Sequence, residues 1–111
     1  MICQCGDVVV VRFPFTDLAI AKPRPAVAIS AESFIAGHSQ TILAMVTTGA
    51  GSSWPSDIAI QELAAAGLRH ASIVRWKLFT LVNDQLAVRI GRLAEIDRKH
   101  LAAAAPAVFG F

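Results

Sequence analysis

Apolar positions along the chain fall into short runs separated by turn chemistry, a pattern of strands rather than of long helices. Val8 to Phe13 is a β-branched run opened by Gly6-Asp7 and stopped by Pro14, which removes a ladder donor. A loop from Phe15 to Pro23, polar at Thr16, Asp17 and Lys22, leads to a second strand from Pro25 to Ser30. Ala31 to Gln40 reads as a loop with room for a short helical turn, and Thr41 to Thr47 as a third strand. That strand ends in the glycine- and serine-rich stretch Thr48-Gly49-Ala50-Gly51-Ser52-Ser53. Asp57 to Ile60 fits a brief edge strand, and Gln61 to Ala66 a short alanine-rich helix stopped by Gly67. Ser72 to Leu81 and Leu86 to Leu93 are two more strands around the turn residues Val82-Asn83-Asp84-Gln85. A last helix opens at Glu95 and Asp97, where negative charge suits the N-terminal end of the helix dipole. Ile96, Leu101, Ala104 and Val108 give it a loose apolar face, and Pro106 is expected to kink or end it near Ala105.

Helices that are added to strands, rather than alternating with them, exclude a doubly wound parallel sheet. The expected fold is mainly β: a small closed or nearly closed antiparallel barrel, which hides strand edges, finished by a C-terminal helix. Residues 1–111 read as one domain, since no repeat or linker divides them.

Composition adds a hint of association. Apolar residues make up 55% of the chain and charged residues only 16%, against roughly 25% in ordinary soluble domains. So few charges suggest a surface covered by a partner or a second copy. The longest uncharged apolar stretch, Leu101 to Phe111, is too short to span a bilayer and contains Pro106. The N-terminus lacks the features of a secretory signal, so no membrane association and a cytoplasmic location are expected. Cys3 and Cys5 are too close for an unstrained disulfide and too few for a metal site, and read as reduced thiols near a loose terminus. The histidines, His38, His70 and His100, have no ligand spacing, and no metal or other cofactor is expected.

The net charge of +2 is only mildly basic, so the placement of the basic residues matters more than their number. Lys22-Pro23-Arg24-Pro25 presents Arg24 between two prolines, in an extended segment of low conformational entropy. A guanidinium held that way suits a bidentate grip on phosphate. Thr47 and Thr48, at the end of the third strand, could add hydroxyl donors to the same oxyanion. The bland alternative is a solvated arginine and two ordinary β-formers. Lys22, Arg75 and Lys77 are candidate contacts to a phosphate backbone, whereas Arg89 and Arg92 fit salt-bridged structural roles equally well. Trp76 could stack a base, but fits a core or dimer interface better. His38 has the right chemistry for proton transfer, in a position that otherwise reads as surface.

Six short blocks, in order along nearly the whole chain, resemble the MazF/PemK toxins of type II toxin–antitoxin systems. They are Gly6-Asp7-Val8-Val9-Val10-Val11, Lys22-Pro23-Arg24-Pro25-Ala26-Val27, Met45-Val46-Thr47-Thr48, Ala66-Gly67-Leu68, Ser72-Ile73-Val74-Arg75 and Ile90-Gly91-Arg92-Leu93. The resemblance implies an SH3-like barrel, a homodimer, and a metal-independent, sequence-selective endoribonuclease of single-stranded RNA silenced by a cognate antitoxin. Arg24 and Thr47 would be the catalytic pair, with Thr48 where serine is usual. One departure stands out: members often carry an acidic residue in the strand that here reads Arg75-Trp76-Lys77-Leu78, which has none. That leaves the general base unassigned. A different class on the same barrel is the CcdB-like poison of DNA gyrase, to whose short tail Phe109-Gly110-Phe111 is weakly similar. A catalytically degenerate member that only binds RNA or antitoxin is the third reading.

Overall fold

The computed structural model describes residues 2–12, 23–86 and 88–111. In chain order the elements are β1 (Asp7–Arg12), β2 (Pro23–Ala28), α1 (Glu32–His38), β3 (Gln40–Thr47), β4 (Ile58–Ala59), β5 (Ile73–Val82), a 3₁₀ turn (Asn83–Gln85), β6 (Val88–Arg92) and α2 (Glu95–Val108). The strands form one six-stranded sheet in the order β4-β5-β3-β2-β1-β6, with every described pairing antiparallel.

The unbroken valine run of β1 is explained by a sheet covered on both faces. Alternate side chains divide between two apolar clusters. Val9 and Val11 join Ala26, Ala28, Leu43 and Phe79 on one face, where Ile35 of α1 completes the packing. Val8 joins Val27, Ala44, Val46, Val74 and Trp76 on the other, covered by Leu101 of α2 and by Ile60 and Ala66. Cross-strand partners carry the division across the sheet: Val8 opposes Val27, and Val27 opposes Ala44. Two irregularities curl it. Between Ala44 and Met45 the β3 register jumps from Leu78 to Arg75, and between Val8 and Val9 the β6 register jumps from Gly91 to Arg89. Extra residues on one strand of a pair bend it and increase its twist.

The expected barrel is thus a curled sheet whose edges, β4 and β6, are joined by a loop rather than by a ladder. After β4 the chain turns through residues 61–67 and lies against β6, where the Arg92 N–H donates to the Ala65 carbonyl at 3.0 Å. This closure is glycine-dependent. Gly67 has φ +72°, and a β-carbon there would stand 2.1 Å from the Ile90 carbonyl oxygen; one on Gly91 would stand 2.4 Å from the Ala66 carbonyl carbon. Two backbones touch where neither residue has a side chain.

Several expectations need correction. Residues 61–66 form a succession of turns rather than a helix. Their N–H groups at Gln61 and Glu62 are held by the buried Asp97 carboxylate, at 2.9 and 3.0 Å. Asp97 therefore anchors a distant loop as well as sitting at a helix start. Pro106 does not end α2, which runs on to Val108. One missing N–H costs the helix one bond near its end, and both Pro106 and Ala102, whose carbonyl would have received it, are exposed to water. The N-terminus is not loose at Cys3. Its side chain is buried in the first cluster, and burial, with a smaller effect from the Asp7 charge, pushes the thiol up. Arg89 and Arg92 both pair with the buried Asp7 carboxylate, at 3.7 and 3.2 Å. Trp76 is a core residue, its ring meeting Phe109 edge-on with centroids 5.9 Å apart. No helix among the described residues is long and apolar enough to cross a membrane.

Candidate active site

Three segments converge on a cavity of about 230 Å³, lined by Arg24, Pro25, Val46, Thr47, Thr48, Leu68, Arg69, His70 and Ser72. Arg24 lies within β2 rather than before it, opposite Val11 of β1. The flanking prolines leave it extended, and its side chain is exposed. Thr47 closes β3, and its hydroxyl oxygen accepts the Gly49 N–H at 3.2 Å. That bond orients the hydroxyl while leaving its proton for donation. Thr48 follows, exposed, its oxygen 3.5 Å from the Ala50 N–H.

The third wall comes from the closure loop. Beyond Gly67 the Leu68 N–H returns to the Leu63 carbonyl at 2.9 Å, and the Ile60 N–H donates to the Ser72 carbonyl at 3.0 Å. The Ser72 hydroxyl donates to the His70 carbonyl at 2.7 Å, a local turn that fixes the backbone between them. β3 and β5 are antiparallel with Thr47 opposite Ile73, so the residues preceding Ile73 arrive beside Thr48. Anchoring by Asp97 and by the Gly67–Gly91 contact thus sets where Arg69 and His70 stand. The cavity carries two guanidiniums and an imidazole and, among its described lining residues, no carboxylate. Such a field favours an anion.

Of the residues singled out from the sequence, Arg24, Thr47 and Thr48 come together. Lys22 lies outside the described residues. Lys77 is exposed on β5 and does not line the cavity. Arg75 is corrected: it is buried and turned to an internal partner rather than presented to a phosphate. Its Nε and Nη2 donate to the two Asp57 carboxylate oxygens at 3.0 and 2.9 Å, and Nη1 donates to the Ser52 hydroxyl at 2.9 Å. The Trp54 ring lies 5.2 Å from the guanidinium. Hydrogen bonds from Arg75, and less strongly from the Trp54 N–H, hold the Asp57 carboxyl below the usual carboxylate range against an opposing effect of burial. The acidic partner of Arg75 thus comes from 18 residues upstream, outside its own strand. His38 is held in α1, with Nδ1 3.0 Å from the Phe34 carbonyl and its ring stacked on Phe34, and does not line the cavity.

His70 and Arg69 are the site residues that sequence reasoning missed. A signal existed: both lie between the blocks Ala66-Gly67-Leu68 and Ser72-Ile73-Val74-Arg75, just before a strand that must pair with the one ending at Thr47. A larger cavity of about 400 Å³ has, among its described lining residues Val10, Val11, Arg12, Pro23, Leu81 and Gln85, no imidazole or hydroxyl.

The profile of PemK-like, MazF-like toxins of type II toxin–antitoxin systems matches residues 4–109. The chain belongs to this family. Among curated proteins, none matches the sequence significantly. Solved structures share the MazF-like fold at low identity. An endoribonuclease from a mycobacterial species, in complex with its cognate antitoxin, superposes with a TM-score of 0.75 at 14% identity, covering 99% of this chain and 95% of its own. MazF from Deinococcus radiodurans gives 0.75 at 14% identity, over 100% and 99%. The Mycobacterium tuberculosis toxin MazF-mt6 gives 0.68 at 21% identity, over 88% and 90%. At these identities the likeness concerns the fold, a curled antiparallel sheet with a C-terminal helix; the chemistry must be argued from the cavity.

Proposed function

We propose that this PemK/MazF family member is an endoribonuclease that cuts single-stranded RNA at the Arg24–Thr47 cavity without a metal ion. The observation that carries the reading is the convergence of Arg24, Thr47 and Thr48 with a second arginine and a histidine around one cavity. Cleavage without metal uses the 2′-OH as nucleophile: it attacks the adjacent phosphorus, and the 5′-oxygen leaves. The substrate supplies its own nucleophile, so the protein has to align it and stabilise charge on the pentacoordinate phosphorus. Arg24 offers two parallel N–H donors to the non-bridging oxygens. Thr47 adds a hydroxyl oriented by Gly49, and Thr48 a further donor. Arg69 adds positive charge where the RNA backbone enters or leaves.

Further expectations of this reading are a cognate antitoxin, as in the complexes among the fold neighbours, a symmetric homodimer, and action in the cytoplasm. Phe111 and Val88 are exposed apolar residues that a second copy would cover.

The test is cleavage of a mixed-sequence single-stranded RNA by the purified protein in excess EDTA, in the absence of gyrase. Wild-type protein should cut. Arg24→Ala should lose a factor of about 10² or more in rate, the size expected for one transition-state donor, while melting as the wild type does. Full activity in Arg24→Ala, or no RNA cleavage by a folded wild-type chain, would overturn the reading, the latter in favour of a non-enzymatic toxin.

A further inference from the structure

We propose that His70 is the general base of the cavity, the group that takes the 2′-OH proton. This rests on the reading of the cavity as an RNA-cleaving site and supplies the component that neither the sequence motifs nor Arg24 provides.

Arg24 and Arg69 are guanidiniums, which keep their protons at any ordinary pH and so stabilise charge but do not accept a proton. Thr47 and Thr48 are alcohols, far too weakly basic. The Ser72 hydroxyl is engaged with the His70 carbonyl at 2.7 Å. No carboxylate is present among the described lining residues. Asp57, the acid that pairs with Arg75 of β5, is committed to it through two hydrogen bonds, which hold its carboxyl below the usual carboxylate range. Imidazole is the one side chain in the set whose chemistry allows proton transfer near neutral pH.

The position is also built. Gly67 packs on β6, Asp97 holds the start of the loop, and Ile60 and Ser72 hydrogen-bond across it, so His70 follows a segment tied down at several points. Ser72 ties down the His70 carbonyl directly, and His70 is an exposed residue that lines the cavity. The other two histidines lie elsewhere. His38 is tied to Phe34, and neither it nor His100 lines the cavity.

In the step proposed, a neutral ring nitrogen of His70 accepts the 2′-OH proton as the bond from O2′ to phosphorus forms. The bond from phosphorus to O5′ breaks, and the departing oxygen takes a proton from solvent water. The imidazolium then returns its proton to solvent, and the protein ends as it began. Among the described lining residues, the charged groups that share the cavity with His70 are Arg24 from β2 and Arg69 from its own segment, and β3 with the residue after it contributes the neutral Val46, Thr47 and Thr48.

The experiment measures single-turnover cleavage of one RNA between pH 5 and 9 for wild type, Arg24→Ala, His70→Gln and His70→Ala. Affinity is measured separately for the same RNA with a 2′-deoxy nucleotide at the cut site. Wild-type rates should rise with pH along a limb set by one ionisation and then level off. His70→Gln should bind the deoxy RNA within about twofold of wild type, cut about 10²–10⁴-fold more slowly, and lose that limb. Added imidazole should restore part of the rate in His70→Ala. Wild-type-like cleavage by His70→Gln, or retention of the acid limb, would overturn the assignment. Loss of an alkaline limb instead would make His70 an acid and equally overturn it. If Arg24→Ala is inactive while His70→Gln is active, only the role of His70 falls; if the wild type cuts no RNA, the functional reading falls with it.

Discussion

Replacing Gly67 by alanine should be among the most damaging single-methyl changes in this protein. The new β-carbon would have to move from 2.1 Å to at least 3.4 Å from the Ile90 carbonyl oxygen, and the atom it meets is backbone rather than a side chain that can swing away. Alanine at φ +72° adds about 1–2 kcal/mol of backbone strain. Pushing the two segments apart costs about 1–3 kcal/mol in disturbed packing, and about 1 kcal/mol more if the Arg92–Ala65 hydrogen bond is lost. A total of about 4 kcal/mol is a large share of the stability of a small domain and corresponds to a melting temperature roughly 16 °C lower. Three other glycines separate the causes. Gly91→Ala carries the clash, at 2.4 Å from Ala66, without the positive φ, and should cost about 3 kcal/mol. Gly51→Ala has a positive φ of +79° but open space, and should cost about 1–2 kcal/mol. Gly37→Ala, in α1 with nothing nearby, should stabilise by about 0.5–1 kcal/mol. Urea unfolding followed by circular dichroism measures all four. If Gly67→Ala fell within about 1 kcal/mol of Gly51→Ala, the close approach that closes the sheet would be refuted, since strain alone would account for it.

Asp97→Ala should destabilise by about 3 kcal/mol, because it leaves two N–H groups of the closure loop without their charged acceptor; chemical unfolding checks this, and Asp97→Asn, which keeps one acceptor, should cost less. The Asp57 carboxyl is held below its ordinary value in the folded chain, so its contribution is fully present above the unfolded carboxylate range and lost as pH falls through the lowered folded value. Melting temperatures of Asp57→Asn should therefore be lower than wild type at neutral pH and converge with it in acid; parallel pH curves would contradict the pairing with Arg75. In sedimentation equilibrium at micromolar concentration the chain should have twice its 11.8 kDa mass, and a monomer throughout would rule out the homodimer.

The strands were legible because two-sided burial writes itself into the sequence as valine, alanine and leucine runs bounded by glycine and proline. Arg24 and Thr47 carry only faint local signals, one set between prolines and the other ending a strand; these fit a solvated arginine and an ordinary β-former at least as well, and the family resemblance is what pairs them. The role of residues 61–67 was not legible. Their alanines suggest a helix, and only the tertiary contacts with Asp97 and with Gly91 turn them into a loop that closes the sheet. Arg75 misled for a related reason. On an isolated strand it is a free cation, and its partner Asp57 lies across a loop whose course no local pattern gives. His70 was hidden in a similar way: its place between two family blocks becomes a signal only when antiparallel pairing of β3 with β5 carries it beside Thr48.

The central claim is that the Arg24–Thr47 cavity cuts RNA by using the substrate's own 2′-OH. Mass spectrometry of the cleavage products tests this most directly, with an all-ribose RNA and the same RNA carrying one 2′-deoxy nucleotide on the 5′ side of the scissile phosphate. The account predicts a 2′,3′-cyclic phosphate and a free 5′-OH from the first, formed in excess EDTA, and no cut at that phosphate in the second despite normal binding. A 5′-phosphate product, or efficient cutting of the deoxy substrate, would show that water is the nucleophile and would contradict the roles given to Arg24, Thr47 and His70.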